Sequence, residues 1–166
     1  MSKQRAHKTN VARLLDQYNI NYELIPYKVD ESDLSAMHVA QSLGENIKQV
    51  FKTLVLQGDK TGYIVCILPA DEELDLKHIA IISENKKCNL IPMKELFKLT
   101  GYIRGACSPI GMKKFFPSYI EKSCLSFESI YVSAGQRGLQ IQINPNDLIK
   151  LIQAKIFKNR SCKENL

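Results

Sequence analysis

Val50-Phe51-Lys52-Thr53-Leu54-Val55-Leu56-Gln57 and Tyr63-Ile64-Val65-Cys66-Ile67-Leu68 stand on either side of Gly58-Asp59-Lys60-Thr61-Gly62. Two apolar, β-branched runs around a glycine-bounded polar segment predict a hairpin with a five-residue loop. In the first run Val50, Leu54 and Leu56 share a face with Lys52, while Phe51 and Val55 occupy the other, so both faces are expected to be substantially buried. A second pair of β-rich runs, residues 129–133 and 139–143, flanks Ala134-Gly135-Gln136-Arg137-Gly138.

Helical signals surround the hairpins. Thr9 or Asn10 can cap a helix whose Val11, Leu14, Leu15 and Tyr18 form one apolar stripe. Residues 22–25 read as a short strand stopped by Pro26, and a helix near residues 35–43 ends at Gly44. Residues 74–83 have helical spacing, Leu90-Ile91 is extended, and Pro92 opens a helix over 93–100 that Gly101 terminates. Asn144-Pro145 supplies a cap and a first-turn proline for residues 146–153. With no strict β-α-β period, an α/β fold follows in which helices surround a mixed, β-barrel-like sheet.

The 166-residue chain is 45% hydrophobic and 24% charged, which excludes a disordered or collagen-like chain. No Pro/Gly/Ser-rich break interrupts it. Residues 1–166 are therefore expected to form a single domain, with a basic C-terminal tail from about residue 158. No apolar run approaches the ~20 residues of a bilayer span, and no apolar signal core follows the basic N-terminal residues. A cytoplasmic protein without a membrane partner is expected. Cys66, Cys88, Cys107, Cys124 and Cys162 show neither CxxC spacing nor a histidine at ligand spacing, so neither a metal nor a disulfide framework is expected. No cofactor motif is present, and GxxxxGK[ST] is missing.

The formal net charge of +6 favours an anionic partner, with nucleic acid a natural case. Arg104, Lys113, Lys114 and Lys122 form one basic concentration and the C-terminal lysines another, against an acidic Asp71, Glu72, Glu73 and Asp75. Lys52, inside an apolar strand, has two readings. It snorkels out at the strand end, or its ammonium stands in a pocket as an anchor for a phosphate, carbonyl or ribose oxygen. The glycine loops at 101–111 and 133–138 can present backbone N–H groups to an oxyanion, or can simply be turns needing positive φ. No Ser/His/Asp set or HExxH is legible.

Phe51-Lys52-Thr53-Leu54, Gly101-Tyr102 through Gly105-Ala106-Cys107-Ser108-Pro109-Ile110-Gly111-Met112-Lys113-Lys114, and Ile130 through Leu139 together resemble the YbaK family of Cys-tRNA(Pro) deacylases. That family is related to the editing domain inserted in bacterial prolyl-tRNA synthetases. The resemblance spans about residues 8–157. It implies Lys52 as the residue needed for activity, Tyr27, Gly105, Ser108, Ser133, Gly135 and Gln140 at the substrate, and Arg104, Lys113, Lys114 and Arg137 at the tRNA. The implied partners are the aminoacyl acceptor end of tRNA and prolyl-tRNA synthetase. The chain departs from the pattern in three places: residues 33–37 lack a pocket aromatic, Gln140 stands where some members carry aspartate, and Cys107 replaces an aliphatic residue.

The implied chemistry has a physical rationale. Cysteine and alanine are no larger than proline, and a synthetase gains only ~1–3 kcal/mol of discrimination per methylene, so a separate hydrolytic site is needed. The family's substrate cysteine removes itself: its thiol attacks its own ester carbonyl and releases tRNA and a thiolactone. The protein then needs no nucleophile of its own. The rivals are an Ala-tRNA(Pro) deacylase of the same superfamily and a non-catalytic module binding tRNA or a synthetase. The alanine branch carries Gly-x-His-Pro in the late loop, where this chain reads Ser133-Ala134-Gly135-Gln136-Arg137-Gly138.

Overall fold

A computed structural model describes residues 8–160, which leaves Cys162 and most of the expected basic tail outside the described residues. Helix α1 (Asn10–Gln17) is capped by the Thr9 hydroxyl, which accepts from the Ala12 N–H, and leads into β1 (Tyr22–Pro26). Helix α2 (Ala36–Leu43) starts on the Ser35 hydroxyl and stops at left-handed Gly44. β2 (Phe51–Gly58) and β3 (Gly62–Pro69) form the expected hairpin, but with a shorter loop. Gly58 pairs with Gly62, so only Asp59, Lys60 and Thr61 turn the chain, with positive φ at Gly62 permitting the tight return.

α3 (Leu76–Ile82) is capped by Asp75, and β4 (Cys88–Leu90) pairs with the end of β2. The helix expected at 93–100 is split into a 3-10 turn, Met93–Glu95, and α4 (Leu96–Thr100), which ends at left-handed Gly101. β5 (Ser118–Glu121) follows the long loop. β6 (Ile130–Gln136) runs further than its apolar pattern because Gln136 pairs with Leu139 of β7 (Leu139–Ile143), leaving Arg137-Gly138 as the turn. α5 (Pro145–Ile152) starts on the Asn144 side chain, and β8 (Lys155–Phe157) closes the order.

The strands form two sheets. The smaller is antiparallel, ordered β1-β7-β6; the larger is mixed, ordered β4-β2-β3-β5-β8, with β5 parallel to both β3 and β8. The expected barrel is not closed, since the sheets meet through one parallel bridge between Val50 and Tyr131. Phe51, Val55, Val65, Ile67 and Ile120 from the larger sheet pack with Val132, Ile141 and Ile143 from the smaller, and Val11, Leu15 and Leu148 of α1 and α5 complete this core. The other face of the larger sheet, with Leu56, Ile64, Cys66 and Tyr119, is covered by Ile79 and Ala80 of α3. Asn159, 2% exposed, bonds to Glu72, to the Glu73 carbonyl, to the Asp75 N–H and to Glu121, fastening the chain beyond β8 to the acidic segment.

Candidate active site

β2 runs without a neighbour along part of one edge. The bridge to Tyr131 stops at Val50, and β4 joins only from Leu56, so the strand between them is open. The Val50 carbonyl accepts from Ala70 N–H on the β3 side, whereas the Val55 carbonyl accepts from Ile91 N–H on the β4 side. Ladder alternation therefore turns the backbone groups of Phe51 and Thr53 toward the open edge. A cleft of about 190 Å³ fills the gap. Residues 50–54 form one wall; Leu34, Ala36 and Val39, Gly105 and Cys107, and Ser133 and Gln140 form the others.

Lys52 lines this cleft, and its Nζ donates to the Ala70 carbonyl at 3.2 Å. One of three ammonium protons is thereby engaged, which leaves donors for a ligand oxygen. Burial pushes the Lys52 pKa down, and the nearby carboxylates of Asp71, Glu72 and Glu73 oppose that shift. Asp71 itself pairs with Lys48 at 2.7 Å through Oδ2, while its buried Oδ1 has no partner among the described residues. The Ala70 carbonyl and the acidic turn after it were not legible as parts of a site. The hairpin register, Phe51 against Pro69, is the signal that places Ala70 beside this end of β2.

Ser133 joins the two glycine loops. Its hydroxyl donates to the Ala106 carbonyl at 2.9 Å and accepts from the Gly135 N–H at 3.1 Å. Ser133 and Gln140 are register partners, so both side chains leave the β6–β7 ladder on the cleft face. Gly135, at φ +98°, packs so closely that a Cβ would stand 3.1 Å from the Tyr102 ring and 3.2 Å from Val11. Over Gly105 lies the Arg137 guanidinium, which donates from Nε to the Arg104 carbonyl at 2.9 Å and from Nη1 to Glu31 at 2.9 Å.

Thr53 and Gln140 line the cleft, and their buried Oγ1 and Oε1 have no hydrogen-bond partner among the described residues. A buried unpaired oxygen costs about 1–3 kcal/mol. Thr53, Leu34 and Val39 carried no chemical signal in the sequence. Some expected residues stand back from the cleft. Ser108 is fully buried, its hydroxyl accepting from the Ile110 N–H, and Gly135 supports Ser133 from behind. Tyr27 is half-buried against the cluster containing Val39 and Val50, with its N–H bonded to the Gly138 carbonyl. Arg104, Lys113 and Lys114 are exposed, and the Lys113 ammonium stands 5.2 Å from the centroid of the Phe97 ring.

Cys107 is the one thiol lining the cleft among the described residues, and burial pushes its pKa up to about 12. Its thiolate is therefore scarce at neutral pH, which makes it a poor nucleophile. If the activity implied by the resemblance holds, Cys107→Ala should keep deacylation of an aminoacyl-tRNA within about threefold of the parent, a change under 1 kcal/mol. Loss of turnover in a folded Cys107→Ala protein, followed by single-turnover kinetics, would instead make the enzyme thiol the attacking group.

Residues 31–151 match the family described as the aminoacyl-tRNA editing domain, and the chain belongs to that family. Over 162 residues it is 45% identical to an Enterococcus faecalis (strain ATCC 700802 / V583) protein provisionally named Cys-tRNA(Pro)/Cys-tRNA(Cys) deacylase EbsC, with 98% of each chain covered. A crystal structure described as a provisional trans-editing enzyme for prolyl-tRNA synthetase superposes with a TM-score of 0.80 at 20% identity, covering 94% of this chain and 99% of that one. Another, of a protein described as hypothetical, gives 0.82 at 18% identity over 91% and 99% of the two chains. At such identities these two structures share the fold.

Proposed function

We propose that the protein removes cysteine from mischarged Cys-tRNA(Pro), acting in trans on the acceptor end in the cytoplasm. The observation that carries this reading is a cleft lined by a half-buried lysine, Lys52, whose Nζ donates to the Ala70 carbonyl, and by one thiol among the described residues, Cys107, which burial holds protonated. Such a site suits a substrate that brings its own nucleophile. Full-length similarity to a chain provisionally named for cysteine release supports the same choice.

In this mechanism the substrate thiol loses its proton, and its sulfur attacks the ester carbonyl carbon. The C–S bond forms as the bond from carbon to the terminal ribose oxygen breaks. That oxygen takes a proton, giving free tRNA and a cyclic thiolactone. Cysteine suits this route because a thiol of pKa ~8.5 is a few per cent thiolate near neutrality. Lys52 holds a phosphate or ribose oxygen of the terminal nucleotide, and the backbone N–H groups around Gly105 and Ser133 face the carbonyl oxygen as it gains charge. Gln140 and Thr53 line the space for the aminoacyl group, with Tyr27 backing the wall behind Val39 and Val50. Arg104, Lys113, Lys114 and Arg137 meet tRNA phosphates, and prolyl-tRNA synthetase selects the tRNA.

The test is amino-acid release from Cys-tRNA(Pro) and Ala-tRNA(Pro), with and without prolyl-tRNA synthetase. Cysteine should leave at least about tenfold faster than alanine, because an alanyl ester has no thiol to attack it. Faster loss of alanine would transfer the protein to alanine editing. No release of either would reduce it to a binding module.

A further inference from the structure

The amino acid of an aminoacyl-tRNA sits on the terminal ribose, so the nucleotides behind it must cross the rim of the cleft. Two sides of that rim are acidic. Leu34 and Ala36 follow exposed Asp30, Glu31 and Asp33, and Ala70, which binds Lys52, leads directly into Asp71, Glu72 and Glu73. Arg137 pairs with Glu31 and Lys48 with Asp71, and the carboxylates left over, Asp30, Asp33, Glu72 and Glu73, disfavour a run of phosphates along these two sides. The third side is basic and aromatic: from Gly105 the chain runs back through exposed Arg104 and Ile103 to Gly101, where the Lys113 side chain packs 3.3 Å from the Cβ position.

Lys113 ties this strip to α4. Its N–H donates to the Thr100 carbonyl at 3.0 Å, and its ammonium sits over Phe97, whose ring is 56% exposed. Phe115 is 67% exposed on the same loop. Along residues 95–115, which carry both rings, Lys98, Arg104, Lys113 and Lys114 are all exposed, and the stretch holds one carboxylate, half-buried Glu95. Four residue steps separate Gly101 from Gly105, so the patch begins within about 14 Å of the cleft. Exposed aromatic rings among cations are the surface that takes single-stranded nucleic acid, rings stacking on bases and ammonium groups meeting phosphates.

We propose that Phe97 and Phe115 are stacking platforms for the unpaired nucleotides at the 3′ end of tRNA, with Lys98, Lys113 and Lys114 on the intervening phosphates. This rests on the tRNA reading above and adds the direction in which the strand leaves the site. Both rings are more than half exposed and neither belongs to the buried core, so leucine or tryptophan there should leave the fold intact.

Binding of uncharged tRNA, full-length or trimmed of its unpaired 3′ nucleotides, tests it with Phe97→Leu, Phe115→Leu and the corresponding Trp variants, all checked for an unchanged thermal midpoint. Each leucine variant should weaken full-length tRNA binding by about fivefold or more, with no change in the slope of affinity against salt. Tryptophan should retain binding, and trimmed tRNA should bind all variants alike. Parental affinity in the double leucine variant, equal losses for trimmed tRNA, or failure of tryptophan would overturn the proposal. Unchanged tRNA binding with weakened binding of purified prolyl-tRNA synthetase would also overturn it, giving the patch to a protein. Uncharged tRNA requires no chemistry, so a parent that releases no cysteine but binds through these rings loses the deacylase reading alone. Full cysteine release at parental tRNA concentrations by the double leucine variant removes the stacking proposal alone.

Discussion

Lys52→Ala should lower kcat/KM for cysteine release by at least about a hundredfold while the protein stays folded, the scale seen when one preorganised donor to developing charge is lost. Lys52 is half-buried, and its recorded bond is to the Ala70 carbonyl, so truncation removes a cation from the cleft and leaves the surrounding sheet in place. Lys52→Arg should recover little, because a planar fork does not fit where a compact ammonium lies between β2 and the Ala70 carbonyl. The charge also sets a pH limit. Burial pushes the Lys52 pKa down, so as pH rises the cation is lost earlier than that of an exposed lysine. Activity should decline along that alkaline limb in the parent, and the limb should be missing from any residual activity of Lys52→Ala. Initial rates of radiolabelled cysteine release from pH 6 upward, about one unit apart, would measure both effects. A folded Lys52→Ala protein with parental activity would end the anchoring role.

Gly58→Ala should destabilise the fold by about 3 kcal/mol, although nothing in the site touches it. A Cβ there would lie 2.4–2.5 Å from three side-chain atoms of Asn85. Asn85 cannot simply swing aside. Its Oδ1 accepts from the N–H groups of Lys60 and Thr61 at 2.8 and 3.0 Å, and its Nδ2 donates to the hydroxyls of Thr61 and Ser83 at 3.0 and 2.8 Å. Expelling it unties the β2–β3 turn and leaves buried polar groups unmatched. Urea unfolding should show the loss, together with a fall of roughly 6–12 °C in Tm for a chain of this size. The turn is about 20 Å along the strand from Lys52, so deacylation well below Tm should be near parental. In an Asn85→Ala background the same glycine substitution should cost much less, since the obstructing side chain is already gone. Additive losses would place the glycine requirement in the backbone and not in the Asn85 contact.

Much of the local structure was legible. Thr9 and Asn144 cap helices as expected, because a short oxygen-bearing side chain before an apolar stripe is a signal contained within one turn; Ser35 and Asp75 are caps too, although the spacing places them inside their helices. The β2–β3 hairpin was legible from two apolar runs, and Lys52 was conspicuous because it interrupts one of them. The turn lengths were not. Gly58, Gly62 and Gln136 continue their ladders, and whether a polar residue at a strand end pairs or turns depends on its partner across the sheet.

By itself the sequence determined the helices, the two hairpins, the polarised charge and, through its motifs, a lysine and two glycine loops worth bringing together. Tertiary structure alone decided how they meet. β5 and β8 are short, buried or edge-lying segments with no period of their own, and they become strands only through parallel pairing with β3 and with each other. The open edge of β2 exists because β6 reaches it at Val50 and β4 at Leu56, a gap set by three separate stretches of chain. Ser133 reaches the Ala106 carbonyl across 27 residues, and Ser108, one residue beyond Cys107, turns into the core instead of the cleft. Capping and periodicity are energies between near neighbours, written where they act; a cleft is the space left between distant segments, and its position is fixed only once all of them have packed.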